Sequence, residues 1–264
     1  MKTNYALILG ASSGFGKAIS TALAKDGTNI IGVHLDRAQT MPLVEEVIKD
    51  IKNAGAEAHF FNTNAADEFG RKKVLDSVEE IFSKKENPTI KVLVHSLAFG
   101  TLRNFIDDDP KNEINQKQIE MTLDVMANSL VYWTQDVIRR KLMTKGGKIY
   151  GLTSAGGTKV IKYYGAVSAA KASLESYIRQ LAVELAGQGI TANALKAGVT
   201  DTPALRKIPS NNILIDNALQ RNPSGRLTLA SDVAEFILEV YKNDSSWMTG
   251  NVISIDGGES ITEL

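Results

Sequence analysis

The segment that most restricts the fold of this chain lies near its start, where a short apolar run meets a glycine-rich turn. Tyr5–Leu9 is typical of a buried strand, Gly10, Gly14 and Gly16 follow it, and the apolar positions after the turn recur with a helical period. Glycines allow the backbone to approach a ligand closely, and the N-terminus of the next helix attracts a pyrophosphate. This order of elements predicts a dinucleotide-binding βαβ unit.

The rest of the chain continues the alternation of strands and helices. Further strands are predicted at Asn29–His34, Ala58–Phe61, Ile90–His95, Lys148–Thr153, Ile190–Ala194 and Asn251–Ile255. Helices are predicted at Leu43–Ala54, Arg71–Ser83, Gln116–Met143, Tyr164–Ala186 and Ser231–Tyr241. With right-handed crossovers, this pattern gives a doubly wound parallel sheet of about seven strands with helices on both faces. No linker or repeat interrupts it, so residues 1–264 are predicted to form a single α/β domain.

Two segments depart from the regular pattern. Phe99–Asn115 and Thr200–Arg226 are long and irregular, and each follows the end of a predicted strand. Ligands of doubly wound sheets bind outside the carboxyl ends of the strands. Both segments are therefore predicted to be substrate loops, with residues 200–226 as a substrate-binding loop and helix region.

Composition excludes several classes of protein. The 264 residues include 30 basic and 30 acidic side chains, so no charge excess indicates nucleic acid or an anionic membrane as a partner. Cysteine is absent, and His34, His59 and His95 share no metal-ligand spacing, so no metal site is expected. The first strand follows Met1 almost directly, and no apolar stretch reaches membrane-spanning length. We expect a cytoplasmic protein without a signal peptide or membrane span.

Tyr164 and Lys171 form the pair with the clearest chemical meaning. They are seven residues apart, about two helical turns, so a helix starting near Tyr164 places both side chains on one face. A phenol has an ordinary pKa of about 10. A nearby ammonium group favours the phenolate, so the pair predicts a tyrosine with a pKa in a useful range for acid–base chemistry.

Three motifs resemble those of the short-chain dehydrogenases/reductases over the whole length of the chain. They are Gly10-x3-Gly14-x-Gly16, Asn193-Ala194 followed by Ala197-Gly198, and Asp256-Gly257-Gly258. The resemblance implies a Rossmann-like, NAD(P)-binding reductase domain.

Two departures from the common pattern of that superfamily resemble the bacterial enoyl-acyl-carrier-protein reductases. Ordinary members have the tyrosine four residues before the lysine, where this chain has Val167. Ordinary members carry Asn-Asn-Ala-Gly after the fourth strand, where this chain reads His95-Ser96-Leu97-Ala98-Phe99. The enoyl reductases use Tyr-x6-Lys and a similar His-Ser segment. The run from Thr200 to Pro209 is also similar to their flexible substrate loop.

The resemblance implies a set of catalytic roles. Hydride passes from C4 of the nicotinamide to Cβ of a 2-enoyl thioester, and Tyr164 donates a hydrogen bond or a proton to the thioester oxygen. Lys171 binds the nicotinamide ribose and supplies positive charge. Ser154, 17 residues before Lys171, matches the serine of ordinary members and either supports the active site or caps a strand. Tyr163 is the rival of Tyr164, but its eight-residue spacing matches neither pattern.

The resemblance also implies which residues bind the dinucleotide. Backbone amides around Gly10, Ser12, Ser13, Gly14, Phe15 and Gly16 would meet the pyrophosphate, and Asn64 and Ala65 would contact the adenine. Ser96, Ala98 and Lys171 would line the nicotinamide channel, and Gly198, Val199 and Thr202 would hold the carboxamide and pyrophosphate. For Asn64 an exposed loop position, and for Thr202 the start of a turn before Pro203, are the alternatives.

The choice between the two dinucleotides depends on the end of the second strand. A carboxylate there binds the ribose 2′-hydroxyl and repels a 2′-phosphate. The expected position is His34, which lacks that charge, and Arg37 could bind a phosphate through two hydrogen bonds. Asp36 argues for the opposite preference. The sequence favours NADPH, with NADH as the alternative.

The resulting prediction is an NAD(P)H-dependent enoyl thioester reductase of fatty acid biosynthesis, acting on acyl carrier protein or coenzyme A thioesters. One alternative is a carbonyl or 3-ketoacyl reductase, or an alcohol dehydrogenase, of the same superfamily. Ordinary members use an asparagine of the long helix as a proton relay, and that position falls on Met126 or its neighbours, with Asn128 close by. A non-catalytic nucleotide-binding regulator is the remote alternative. The resemblance also implies a homotetramer or homodimer.

Overall fold

A parallel sheet forms the centre of the computed structural model, which describes residues 3–209, 211–243 and 245–263. Its strands are β1 Thr3–Leu9, β2 Asn29–His34, β3 Ala58–Asn62, β4 Pro88–His95, β5 Lys148–Ser154, β6 Thr191–Ala197 and β7 Val252–Ile255. They lie in the order β3-β2-β1-β4-β5-β6-β7, and each neighbouring pair is parallel. The predicted doubly wound, Rossmann-like α/β fold is confirmed.

Helices cover both faces of the sheet. They are α1 Gly14–Lys25, α2 Met41–Asn53, α3 Glu68–Ser83, α4 Gln116–Leu123, α5 Ser129–Arg139, α6 Gly165–Leu185, α7 Asn211–Arg221 and α8 Ala230–Lys242. Successive side chains of a strand point to opposite faces. Ile8 of β1 accordingly packs in one core with α1, α2 and α8, whereas Leu7 packs in the other with α3, α5 and α6. Among the described residues, no helix is long and apolar enough to cross a membrane.

The site for a ligand follows from the strand order. The order reverses between β1 and β4, whose last residues, Leu9 and His95, are paired in register. On the other side of β4, Ser154 at the end of β5 pairs with Ala197 at the end of β6. A crevice at such a reversal, outside the carboxyl ends of the strands, is where ligands of this fold bind.

The predicted long helix Gln116–Met143 differs from the structure in two ways. Between α4 and α5 the residues Asp124–Asn128 form a π-helical turn, and helical structure ends at Arg139. The chain leaves the helix through Lys141, which adopts a positive φ of 55°. A π-turn carries one extra residue, and such turns are frequent at functional sites.

Thr200–Arg226 is less irregular than its sequence suggests, and it contains a helix as expected for a loop and helix region. This segment contains a short 3₁₀ turn, Leu205–Lys207, followed by the helix α7. Only Ala218 of α7 is buried. The helix therefore lies at the surface rather than in the core, and the sequence shows little apolar periodicity there. The predicted irregularity of Phe99–Asn115 is confirmed except for a 3₁₀ turn at Pro110–Asn112.

Candidate active site

The turn between β1 and α1 is built so that only glycine fits at its key positions. A Cβ on Gly16 would lie 2.0 Å from the carbonyl oxygen of Gly10, and a Cβ on Gly10 would lie 2.6 Å from the carbonyl oxygen of Ser96. Ser13 precedes α1 in an extended conformation, and its side chain does not cap the helix. The backbone at this helix N-terminus is therefore uncovered, and it fits a bound pyrophosphate.

A largely apolar cavity of about 260 Å³ lies beside this turn, and it brings together half of the predicted site residues. The residues on its wall include Phe15, Ser96, Ala98, Ser154, Tyr164, Lys171, Gly198, Val199 and Thr202. They come from the start of α1, from the ends of β4, β5 and β6, and from the start of α6. The fold thus gathers residues that are far apart in the sequence at the reversal of the strand order.

Tyr164 lies immediately before α6, not within it. It is the capping residue at the N-terminus of that helix, with φ −94° and ψ 3°, and the helix begins at Gly165. Tyr163 has a positive φ of 66°, which is uncommon for a bulky residue. Its ring lies 5.0 Å from the Lys162 ammonium and is not on the cavity wall. The turn before α6 therefore places Tyr164, and not Tyr163, on the cavity wall.

Burial raises the pKa of the Tyr164 phenol, and Ser154 only partly opposes this effect. The expectation that Lys171 lowers the pKa of Tyr164 is wrong in this structure, because desolvation dominates. Ser154 Oγ is buried and makes no hydrogen bond of ordinary geometry with any described residue, although it lies close enough to affect the phenol. A protonated phenol and a free hydroxyl thus lie side by side on the wall.

Lys171 is almost completely buried beside these two groups. Its Nζ donates a hydrogen bond to the carbonyl oxygen of Leu152 at 2.6 Å. Desolvation lowers the pKa of Lys171 to about 8, and the nearby Glu175 carboxylate acts in the opposite direction. Glu175 in turn accepts a hydrogen bond of 2.6 Å from Thr153 Oγ1. At neutral pH the lysine is therefore a cation at the inner end of the cavity.

His95 at the end of β4 is fully buried and connects the sheet to the π-turn. Its Nε2 lies 2.8 Å from Ser129 Oγ, and that hydroxyl donates to the carbonyl oxygen of Val125 at 2.8 Å. Burial and, second, the positive charge of Lys171 lower the pKa of His95 to about 3, so its imidazole is neutral. The π-turn places Met126 on the cavity wall.

The polar neighbour of Met126 is directed elsewhere. Asn128 Oδ1 accepts a hydrogen bond of 3.0 Å from the Tyr177 hydroxyl, and Asn128 is not on the cavity wall. Met126, which lies at or next to the expected relay position, therefore presents a thioether to this cavity.

A carboxylate, Asp36, follows the end of β2, two residues after the expected position at His34. His34 is buried, and its Nδ1 lies 3.0 Å from Asp36 Oδ2. Burial raises the pKa of Asp36, but hydrogen bonding from Ser12, Thr40 and His34 more than offsets this, so the pKa lies below its usual value. Ser12 belongs to the glycine turn, so Asp36 is a carboxylate beside that turn. Arg37 is exposed and forms no ion pair with any described residue.

The two residues predicted to contact adenine, Asn64 and Ala65, form hydrogen bonds within the protein. Asn64 is exposed, and its Oδ1 accepts the backbone N–H of Ala66 at 3.0 Å, which closes a turn. The carbonyl oxygen of the buried Ala65 accepts Trp133 Nε1–H at 2.8 Å. Neither residue lies on the wall of the cavity that contains Tyr164 and Lys171.

The loop after β6 links the cavity to the glycine turn. Thr202 Oγ1 accepts the backbone N–H of Leu205 at 3.2 Å, so Thr202 does start a turn, and its methyl group lies 3.5 Å from where Gly14 would carry a Cβ. The backbone N–H of Val199 is already used, because it donates to Glu259 Oε2 at 2.9 Å. Sequence reasoning missed Glu259. Its only signal was an acidic residue directly after the Gly257-Gly258 pair.

Comparisons with known proteins agree with this geometry. A model of the family described as enoyl-(acyl carrier protein) reductase matches residues 10–260. The NADH-dependent enoyl-[acyl-carrier-protein] reductase FabI of Bacillus cereus is 30% identical over 181 residues, covering 67% of this chain and 68% of that protein. The 3-oxoacyl-[acyl-carrier-protein] reductase FabG of Thermotoga maritima is 29% identical over 252 residues, covering 96% of each chain.

Solved structures support the fold. The enoyl-[acyl-carrier-protein] reductase (NADH) of Aquifex aeolicus VF5 superposes with a TM-score of 0.84 at 22% identity, covering 100% of this chain and 98% of that one. At that identity the likeness shows the fold alone. The matching family, the glycine turn and the Tyr164–Lys171 cavity lead to one conclusion: the chain is an NAD(P)-dependent oxidoreductase and belongs to the short-chain dehydrogenase/reductase superfamily.

Proposed function

We propose that this protein reduces the C2=C3 double bond of an enoyl thioester with a reduced nicotinamide dinucleotide. One observation carries the proposal. Tyr164 and Lys171 line the same cavity, while Val167, which stands four residues before the lysine, presents an apolar side chain to it. The phenol therefore comes from the position that enoyl reductases use, and the position of the ordinary members is filled by a hydrocarbon.

The residues of the cavity suit a reaction in which charge develops on a thioester oxygen. When bound, the reduced nicotinamide supplies the hydride that adds to Cβ of the enoyl group. Tyr164 keeps its proton because burial raises its pKa, so it donates a hydrogen bond to the oxygen where the enolate charge develops. A proton from solvent, added at Cα, completes the reduction. Lys171 holds a positive charge close by and is placed to bind ribose hydroxyls.

The same cavity supplies an apolar surface for the acyl chain. Leu97, Leu102, Met126, Ile208 and Leu214 line the same cavity as Tyr164. Burial of methylene groups against such side chains contributes about 0.8 kcal/mol each. We infer an acyl thioester substrate whose carbonyl lies at Tyr164 and whose chain lies along these residues, with acyl carrier protein or coenzyme A as its carrier.

The position of Asp36 leads us to propose NADH as the preferred dinucleotide, in place of the NADPH that the sequence favours. Asp36 is a carboxylate beside the glycine turn, held by His34, and a carboxylate at the end of the second strand repels a 2′-phosphate. The enoyl reductases from Bacillus cereus and Aquifex aeolicus are both described as NADH enzymes. The exposed Arg37 is the group that would favour NADPH.

Ser154 supports a second candidate, a carbonyl reductase. Its hydroxyl has no hydrogen-bond partner among the described residues and lies beside Tyr164, where it could polarise a substrate carbonyl. The 3-oxoacyl reductase of Thermotoga maritima is one of the relatives. This candidate shares the cofactor and the tyrosine with the first, so only the substrate separates them.

The decisive experiment follows the oxidation of NADH and NADPH at 340 nm with crotonyl and acetoacetyl thioesters in parallel. We expect consumption with the crotonyl thioester, and a loss of about 10²–10³-fold in kcat for Tyr164→Phe, the usual effect of removing one oxyanion donor. Tyr163→Phe is the matched control and should keep the wild-type rate. Consumption with the acetoacetyl thioester alone would establish the carbonyl reductase instead. Dinucleotide binding without turnover of either thioester would indicate the non-catalytic regulator.

A further inference from the structure

A buried carboxylate forms part of the cavity wall next to β6, and no step of the proposed reaction uses it. Glu259 is on that wall, with only 5% of its surface exposed. Its Oε2 accepts the backbone N–H of Val199 at 2.9 Å. Arg221 Nη2 is 4.0 Å from Oε1, which is longer than a hydrogen bond. Among the described residues, nothing donates a hydrogen bond to Oε1.

Such a carboxylate has unused capacity to accept hydrogen bonds. The two oxygens of a carboxylate together offer about four lone-pair sites. Glu259 has one good donor, supplied by the backbone, and the residue belongs to a wall that a ligand can reach. A ligand that brings an N–H or O–H group to Glu259 would donate the hydrogen bond that Oε1 lacks.

The surrounding contacts indicate which part of the dinucleotide comes here. The loop after β6 touches the glycine turn at Thr202, which lies 3.5 Å from a Cβ placed on Gly14. The same loop starts away from the glycine turn, at the end of β6, where Ala197 pairs with Ser154. A Cβ placed on Gly198, the next residue, would be 2.8 Å from Glu259 Oε2. A dinucleotide whose pyrophosphate lies at the glycine turn therefore has its nicotinamide near Gly198 and Glu259.

We propose that Glu259 binds the carboxamide of the nicotinamide, with Oε1 accepting a hydrogen bond from the carboxamide NH2. At this end of a dinucleotide the carboxamide is the N–H donor, since the adenine amino group belongs to the other end. The bond fixes the rotation of the carboxamide and with it the orientation of the ring. The proposal rests on a nicotinamide cofactor in this cavity and is independent of the acyl substrate.

The test compares NADH with the reduced 3-acetylpyridine dinucleotide, in which a methyl group replaces the carboxamide NH2. Isothermal titration calorimetry measures both dissociation constants, so no turnover is needed. We expect the wild-type protein to bind NADH at least about tenfold more tightly, the usual effect of a hydrogen bond to a charged group. In Glu259→Gln one oxygen remains for Val199, while an NH2 donor replaces the second oxygen, so the ratio should fall to about one.

The matched control is Glu263→Gln, four residues later on the exposed end of the same segment. It should keep the wild-type ratio. An equal loss of affinity for both dinucleotides in Glu259→Gln, or an unchanged ratio, would mean that Glu259 only supports the Val199 loop and would overturn the proposal. A wild-type ratio near one would overturn it without any variant. Inactivity toward crotonyl thioester would change none of these ratios and would count against the proposed function alone.

Discussion

Lys171 sets the upper pH limit that we expect for the reaction. Desolvation lowers its pKa to about 8, so the ammonium is present below pH 8 and is lost as the pH rises through that value. The enolate oxygen then loses a nearby positive charge. We predict that kcat/KM for thioester reduction is level below about pH 7 and falls tenfold per pH unit well above pH 8.

Glu175→Gln tests this assignment without touching the cavity wall. The Glu175 carboxylate raises the pKa of Lys171, so its removal should move the alkaline limb to lower pH. Glutamine can still bind the Thr153 hydroxyl, which keeps the local packing. An alkaline limb at the same pH in the variant and the wild-type protein would show that another group controls it.

His95 makes a contribution to the pH dependence of stability. Its pKa is about 3 in the folded protein and about 6.5 in an unfolded chain, because burial and Lys171 disfavour the imidazolium. Below pH 6.5 the unfolded state binds a proton that the folded state does not. The free energy of unfolding should therefore fall by about 1.4 kcal/mol per pH unit from this residue as the pH drops toward 3.

Urea unfolding at several pH values between 4 and 7 measures this slope. His95→Gln removes the titrating group while keeping a side chain that can bind Ser129, so its stability should fall less steeply with pH than that of the wild-type protein. Equal slopes would mean that carboxylates alone account for the acid sensitivity. The difference between the two proteins is the quantity of interest, since all other titrating groups are shared.

Sequence reasoning reached Tyr164, Lys171 and Ser154 through spacing, and the structure places all three on one wall. It could not reach Glu259, because the contact of that side chain with Val199 spans 60 residues and depends on the pairing of β6 with β7. It also misjudged the pKa of Tyr164, since spacing shows which charges are near but not how much water is excluded. The catalytic roles themselves stay predictions.

At the scale of the elements, the glycine turn is the most demanding segment of the chain. A Cβ on Gly16 would lie 2.0 Å from a backbone oxygen, so Gly16→Ala must push the turn away from α1. We predict a loss of about 1–3 kcal/mol in the free energy of unfolding, together with a loss of dinucleotide binding. Urea unfolding and calorimetric titration with NADH measure the two effects.

Gly187→Ala is the matched control for this substitution. Nothing lies within 4 Å of a Cβ at Gly187, and its φ is not in the left-handed region. This variant should be as stable as the wild-type protein, or slightly more stable because the unfolded chain loses freedom. A Gly16→Ala protein with normal stability and affinity would show that the turn can relax, contrary to the prediction.

Strands β1 and β4 were predictable to within a few residues because their apolar runs are almost wholly buried. The helical segments near the cavity could not be predicted in this way. The π-turn at Asp124–Asn128 is not visible in the apolar pattern, and neither is the contact of the adjacent Ser129 with His95. The helix α7 buries one residue only, so it lacks the apolar stripe by which a helix is recognised.

At the scale of the whole molecule, the dinucleotide should stabilise the fold measurably. A ligand at 100 times its dissociation constant adds about 2.7 kcal/mol to the free energy of unfolding. For a chain of this size that corresponds to a rise of roughly 5–10 °C in Tm. We predict that NADH produces this rise and that NADPH at the same concentration produces a smaller one, because Asp36 disfavours the 2′-phosphate.

Differential scanning calorimetry with each dinucleotide checks this prediction. Asp36→Asn keeps the shape of the side chain and removes its charge, so the gap between the two dinucleotides should narrow. A larger rise with NADPH in the wild-type protein would restore the preference that Arg37 suggests from the sequence. Homotetramer or homodimer formation stays a prediction.

The position of Tyr164 just outside α6 has a consequence for how such enzymes diverge. Tyr164 and Val167 both face the cavity, one from the loop and one from the first helical turn. The scaffold thus offers two neighbouring sites from which a phenol can enter the same space. A lineage can exchange one arrangement for the other by two substitutions, with the sheet, the glycine turn and Lys171 unchanged. The two arrangements then differ by two substitutions and not by a change of architecture.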